Sequence, residues 1–218
     1  MTQLLLIRHA HNDWVNHRLA GWTDGVHLSE QGRAEAGALA ERLHDYRLDA
    51  VYASPLERAQ ETAAYLATPR QLSIVVLPGV GEVRYGEWTG RELKELRQEP
   101  LWTVVQQQPS RARFPGGECL AEVQSRAVAA VEGVAENHPE GVVAVVSHGD
   151  VIKALLAFYS GLHLDHFQRF AVGTASVSVV RITAGGPRVL LVNDTGSVPP
   201  PPEPAAVEAE PAAVTGAA

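Results

Sequence analysis

The chain has a single cysteine, Cys119, in 218 residues. That excludes an internal disulfide and leaves no set of thiolates to close a zinc site. No apolar run approaches the length of a membrane span, and the opening Met1-Thr2-Gln3-Leu4-Leu5-Leu6-Ile7 is cut off at once by Arg8-His9, so it reads as a first strand rather than a signal peptide. Nor is there an excess of positive charge. The formal net charge is −7, with three of the acids at Glu203, Glu208 and Glu210, and this balance argues against non-specific nucleic-acid binding, which rests on many cationic phosphate contacts. What remains is a globular composition, 45% hydrophobic and 20% charged, sufficient for one ample core. These features predict a cytoplasmic protein with neither a nucleic acid nor a membrane as partner, and they leave a homodimer open.

Residues 197–218 hold six of the 14 prolines and no aromatic residue, a composition that predicts a Pro/Ala-rich disordered tail behind a domain of residues 1–196. Its four consecutive prolines, Pro199 to Pro202, suit either a solubilising tail or a proline-recognising partner. Within the domain, short branched apolar runs at Leu4–Ile7, Ala50–Ala53, Ile74–Leu77, Val142–Val146, Ser176–Ile182 and Val189–Val192 lack clean alternation, as buried strands of a largely parallel sheet do. Alanine-rich stretches with helical spacing lie between them, at Glu30–His44, Leu56–Ala67, Leu120–Asn137 and Val151–Tyr159. The segment Ser54-Pro55-Leu56-Glu57 reads as a capping box with proline at the first helical position. The alternation predicts an α/β fold, a three-layer α/β/α sandwich around a mostly parallel central sheet.

Three predicted strand ends carry the chemistry. The first strand runs into Arg8-His9, the second into Ser54-Pro55 with Arg58 one turn on, and another into Ser147-His148-Gly149-Asp150. Ligands of open α/β sheets collect at the carboxyl ends of strands, where helix N-termini also point. Two arginines there can neutralise a phosphate dianion, and a histidine can attack phosphorus and form a phosphoramidate. An alkoxide leaving group then needs a proton. The glycine-flanked turn from Gly81 to Gly90 offers Glu82 or Glu87 as the acid, and composition alone does not choose between them.

The runs Leu6-Ile7-Arg8-His9-Ala10, Ser54 to Ala63, Glu82 to Gly90 and Ser147-His148-Gly149 together resemble the histidine phosphatase superfamily, the phosphoglycerate-mutase-like proteins, over roughly residues 3–195. The resemblance implies that His9 is the histidine phosphorylated, that Arg8, Arg58 and His148 form the phosphate pocket, and that Glu82 rather than Glu87 is the proton donor. No metal is then required. Phe114-Pro115-Gly116-Gly117-Glu118-Cys119 is similar to a Gly-Gly-Glu-Ser segment of the family's small phosphatases, with Cys119 in the serine position.

The chain departs from the family around Ala10, Asn12 and Val15-Asn16, where glycine, a hydroxyl residue and asparagine are usual. Its loop from Trp14 to Leu28 is rebuilt, and Leu28-Ser29 restores the register. The candidate substrate contacts are Asn12, Asn16, Arg18, Trp22, Thr23, Glu118 and Gly149, with Leu101, Trp102 and Phe114 as an apolar lid. Between Glu82 and His148 the insert is short for a mutase, so the expectation is a phosphatase acting on a small phosphorylated metabolite without a cofactor. The mutase alternative would bring in 2,3-bisphosphoglycerate. Two other readings stand beside these: a metal pair of His9 and His11 completed by Asp24 or His148, and a weakly active protein that binds a phosphorylated ligand.

Overall fold

The computed structural model describes residues 1–196, so the reading of residues 197–218 as a disordered tail lies outside the described residues. Strands β1 (Thr2–Arg8), β2 (Ala50–Ala53), β3 (Ile74–Val76), β4 (Val142–Ser147), β5 (Val177–Thr183) and β6 (Gly186–Asp194) form one sheet in the order β3-β2-β4-β1-β5-β6. The pairs from β3 through β1 are parallel. β5 and β6 close the sheet with antiparallel pairings.

Side-chain alternation explains why β1 sits in the middle. Leu4 and Leu6 join one core, while Leu5 and Ile7 join the other. β4 splits likewise, with Val143 and Val145 on the first face and Ala144 and Val146 on the second. A strand apolar on both faces must be covered on both. Helices α1 (Glu30–Arg42) and α2 (Glu57–Ala67) pack on the second face. On the first face lie α3 (Leu93–Leu96), α4 (Pro100–Gln107), α5 (Leu120–Asn137) and α6 (Gly149–Tyr159). α6 is apolar nearly all round, with Ile152, Leu155 and Leu156 fully buried, each worth roughly 1.5–3 kcal/mol of transfer free energy. The three-layer α/β/α architecture matches the expectation, and among the described residues no helix is long and apolar enough to cross a membrane.

The capping box expected at Ser54 does not form. α2 begins at Glu57 with Leu56 as its N-cap and no side-chain cap. The Ser54 hydroxyl accepts from Leu56 N–H at 3.3 Å, ahead of the helix, and lies 2.7 Å from His148 Nε2. Ser29 does cap α1, accepting from Gly32 N–H at 3.1 Å.

β4 arrives late in the chain but slots between β2 and β1. Its register sets Ser147 beside Arg8 and Val146 beside Ala53. Two further backbone bonds extend the match beyond the strands, His9 N–H to Ser147 O and Ser54 N–H to Val146 O, both 2.9 Å. Three sequence segments far apart in the chain therefore end side by side.

Candidate active site

A cleft of about 330 Å³ opens over these strand ends, lined among others by Arg8, His9, Asn12, Asn16, Arg18, Arg58, Glu82 and Gly149. His9 follows β1 directly and is almost wholly buried. Its Nδ1 lies 2.8 Å from Ala10 O; a carbonyl only accepts, so Nδ1 carries the proton and Nε2 keeps its lone pair. The residue at the family's glycine position, Ala10, is not among those with positive φ, and its N–H donates to Thr62 Oγ1 at 3.0 Å. Thr62 in turn donates to Arg58 O at 2.7 Å, which ties the loop after β1 to α2.

His148 is 0% exposed, with its ring centroid 5.2 Å from that of His9. Arg58 Nη2 donates to Gly21 O at 2.8 Å and approaches His148 Nδ1 at 3.4 Å. Arg8 Nη1 donates to Val172 O at 2.7 Å. Three buried guanidinium nitrogens have no protein acceptor, Nε of Arg8 with Nε and Nη1 of Arg58. Buried donors left in this state are costly to stability, and such a site fits an anion.

The same crowding sets the protonation states. Burial, then the charges of Arg58 and Arg8, holds His9 well below the usual histidine pKa. His148 is pushed the same way by burial, Arg58 and His9. Glu82, with its side chain only 12% exposed, moves oppositely. Burial, then the Asp150 carboxylate, raises it to about 7, which keeps a share of the acid form near neutrality.

Glu82 is held in place by its backbone. Trp22 Nε1 donates to Glu82 O at 2.6 Å, and Arg126 Nη2 donates to the same oxygen at 3.0 Å. Arg126 Nη1 reaches Gly79 O and Gly81 O, both at 2.8 Å, and its remaining edge pairs with Glu118. Two glycines permit the approach. A side chain at Gly81 would start 2.4 Å from Trp22 Cζ2, and Gly86, at φ +56°, leaves no room beside Pro115 O.

The expected substrate contacts therefore divide. Asn12, Asn16, Arg18 and Gly149 stand on the cleft wall. Asn12 Oδ1 accepts from Trp14 N–H at 3.0 Å, which leaves its amide N–H groups for a ligand. Asn16 takes the left-handed conformation at φ 66° that asparagine tolerates. Trp22, Thr23 and Glu118 stand behind the wall, each for a physical reason. Trp22 is spent on Glu82 O with Arg84 stacked 3.9 Å over its ring, Thr23 N–H closes a turn on Ala20 O, and Glu118 accepts from Arg84 N–H and from Arg126. Phe114, expected in a lid, is core, wedged against Tyr85 and Trp88. Glu87 is exposed. The His9/His11 metal pair does not form either. Both residues lie beyond the end of β1, where strand alternation no longer applies, and His11 Nδ1 bonds Ser29 Oγ at 2.8 Å. Among the described residues no three His, Cys, Asp or Glu side chains are grouped to hold a metal ion.

Sequence reading missed Tyr85, Asp150 and Arg126. Tyr85 O–H donates to Asp150 Oδ2 at 3.0 Å, and both line the cleft. Asp150 was visible as the residue after Gly149, whereas no local pattern connects Arg126 on α5 with the turn it braces.

Known proteins resemble this chain in sequence and in fold. Phosphoserine phosphatase 1 of Hydrogenobacter thermophilus is 32% identical over 201 residues, spanning 89% of this chain and 93% of that protein. The 2,3-bisphosphoglycerate-dependent phosphoglycerate mutase of Bartonella henselae is 30% identical over 184 residues, spanning 78% and 88%. The solved structure of Bacillus stearothermophilus YhfR superposes with a TM-score of 0.82 at 32% identity, covering 88% of this chain and 96% of that one. The model of the histidine phosphatase superfamily, branch 1, matches residues 4–195. By fold, by the residues gathered at its strand ends and by that match, the chain belongs to the histidine phosphatase superfamily.

Proposed function

We propose that the protein is a metal-independent phosphomonoester hydrolase that works through a phosphohistidine on His9 and acts on small phosphorylated metabolites. One observation carries the reading. Three buried guanidinium N–H groups of Arg8 and Arg58 lack protein acceptors beside a histidine whose Nε2 is free to attack.

Arg8, Arg58 and His148 bind the phosphoryl oxygens and spread their developing charge. His9 Nε2 attacks phosphorus in line, the bond from phosphorus to the ester oxygen breaks, and Glu82 gives its proton to that oxygen. Water then attacks the phosphohistidine while the Glu82 carboxylate takes a water proton. The P–N bond breaks, phosphate leaves, and both His9 and Glu82 are restored. A pKa of about 7 suits Glu82 to both steps. Cys119, part-exposed at the start of α5, has no part in the cycle.

The mutase reading draws on the Bartonella henselae relative and would require 2,3-bisphosphoglycerate. An assay in EDTA separates the readings, with 3-phosphoglycerate and catalytic 2,3-bisphosphoglycerate in one tube and a panel of phosphomonoesters in others. The expected result is phosphate release across the panel, no 2-phosphoglycerate, and an acid-labile phosphoenzyme lost in His9→Ala. Fast 2-phosphoglycerate formation with little phosphate would establish the mutase, and undiminished turnover in His9→Ala would remove the nucleophile.

A further inference from the structure

The two edges of the sheet differ. β3, at one end, is three residues long, too short to guide a further strand. β6, at the other, runs for nine residues, and Leu190, Leu191 and Val192 are 38–47% exposed along it. A long apolar edge of this kind is a template for another strand. Pro187 removes a backbone donor only near its start.

The irregularities of β6 are ordered about one residue. Opposite residues of an antiparallel pair share a face of the sheet. Val177 and Val179 belong to the second core, so their partners Asp194 and Leu191 lie on the second face. Arg181 falls between Val180 and Ile182, which pack on the first face, so Arg181 and its partner Arg188 also lie on the second. The register slips once between Val189 and Leu191 and once between Leu191 and Asp194. Arg188 and Asp194 thus flank Leu191 at equal spacing on one face, with one bulge in each interval.

Charge follows the same symmetry. Arg188 stands opposite the like charge of Arg181, which is unfavourable. Arg181 is committed to Gln3 Oε1 at 2.7 Å, whereas the Arg188 side chain has no hydrogen bond or ion pair among the described residues. Asp194 Oδ1 accepts from Gly196 N–H at 2.8 Å, and its second oxygen has no partner among the described residues. A two-fold axis normal to the sheet at Leu191 keeps the faces and sets Leu191 against the partner's Leu191. It also sets Arg188 opposite the partner's Asp194, once on each side of the axis. A bulge blunts an edge against a strand of regular count, but a second copy brings a bulge into each matching interval.

We infer that β6 is an interface between two copies of this chain, paired antiparallel about Leu191 so that their sheets become continuous. Arg188, Leu191 and Asp194 do not line the cleft, so the inference stands apart from the hydrolase reading.

Sedimentation of the full chain over about a hundredfold range of protein concentration tests it. A strand edge buries less than a standard interface, so a reversible monomer–dimer equilibrium is expected. Leu191→Lys, which sets two ammonium groups face to face on the axis, should weaken the dimer at least about tenfold. Arg188→Glu and Asp194→Arg should each weaken it about tenfold, and the double variant should return to within about threefold of the wild type. Circular dichroism and Tm confirm that each variant is folded. A wild type that stays monomeric throughout would overturn the inference, as would a dimer untouched by Leu191→Lys. Dimers lost in both single charge variants and not recovered in the double would overturn the pairing about Leu191 and the inference with it.

Discussion

On the floor of the cleft, His9, Arg58 and His148 are at most 4% exposed, and each is fixed by groups at a strand end or by its neighbours on the floor. On the outer wall, Arg18 is 47% exposed at its side chain and pairs with Glu92, its backbone-bridge neighbour. The floor is rigid because parallel pairing brings its segments into register, and register tolerates no slip. The wall is assembled from short helices and ion pairs at the surface, which contribute little to stability singly. On the proposed mechanism the chemistry thus falls to the part held by the sheet register, and the wall around it can be changed without unfolding the protein.

Breaking the floor should therefore separate activity from stability. Arg58→Met should lower kcat/KM about 10³-fold. It should also raise the unfolding free energy by about 1 kcal/mol, because a buried guanidinium with two unpaired nitrogens gives way to an apolar side chain. Steady-state kinetics and urea denaturation on one preparation check both. A parallel fall in activity and stability would show that Arg58 is a structural strut.

Glu82→Gln comes next in size. In kcat/KM, which reports formation of the phosphohistidine, alkyl phosphates, whose leaving oxygen needs a proton, should slow about 10³-fold and p-nitrophenyl phosphate far less. For the wild type, alkyl ester turnover limited by the acid should fall as pH rises through about 7, a limb absent from the variant. Stability supplies an independent sign. A carboxyl whose folded pKa lies above its unfolded value favours folding while protonated, and that contribution is lost as pH rises from about 4.5 to about 7. Measured across this window, the Tm of Glu82→Gln should gain on that of the wild type. Equal slowing of both ester classes would count against Glu82 as the acid.

Arg126→Met tests how the floor is braced from behind. Arg126 does not itself line the cleft, yet it binds three backbone oxygens of the Glu82 turn. Displacing that turn should lower kcat for alkyl esters roughly 10- to 100-fold while KM holds. It should also weaken the dependence on leaving-group acidity that marks a positioned acid. A lower Tm with an unchanged pH profile would assign Arg126 to stability alone.

The floor was legible in sequence because each of its residues adjoins an apolar run that must be a strand, so position along the chain implies position in space. Arg8-His9 and Ser147-His148 are visible for that reason. Trp22 and Glu118 were misplaced because only tertiary contact shows that their polar groups point at the backbone of another loop. The capping box at Ser54 failed for a related reason: the helix begins three residues later, at Glu57, and the Ser54 hydroxyl meets Leu56 N–H together with His148, a partner that is invisible locally. Asp150 and Tyr85 were adjacent to quoted motifs, but their joint effect on Glu82 depends on burial.

The smallest effect sharpens the wall. Asn16 combines a φ of 66° with a place on the cleft, so asparagine there can reflect the backbone, the ligand or both. Glycine keeps the left-handed backbone and deletes the amide, whereas alanine deletes the amide and strains the backbone by about 1 kcal/mol. If the amide meets substrate, Asn16→Gly and Asn16→Ala should lose the same factor in kcat/KM, about threefold, while only the alanine variant loses stability. If the residue serves the backbone alone, glycine should keep full activity, and any deficit of the alanine variant should follow its instability. A comparison of the two at a temperature well below both Tm values separates the cases, because a purely conformational defect shrinks there and a missing contact does not.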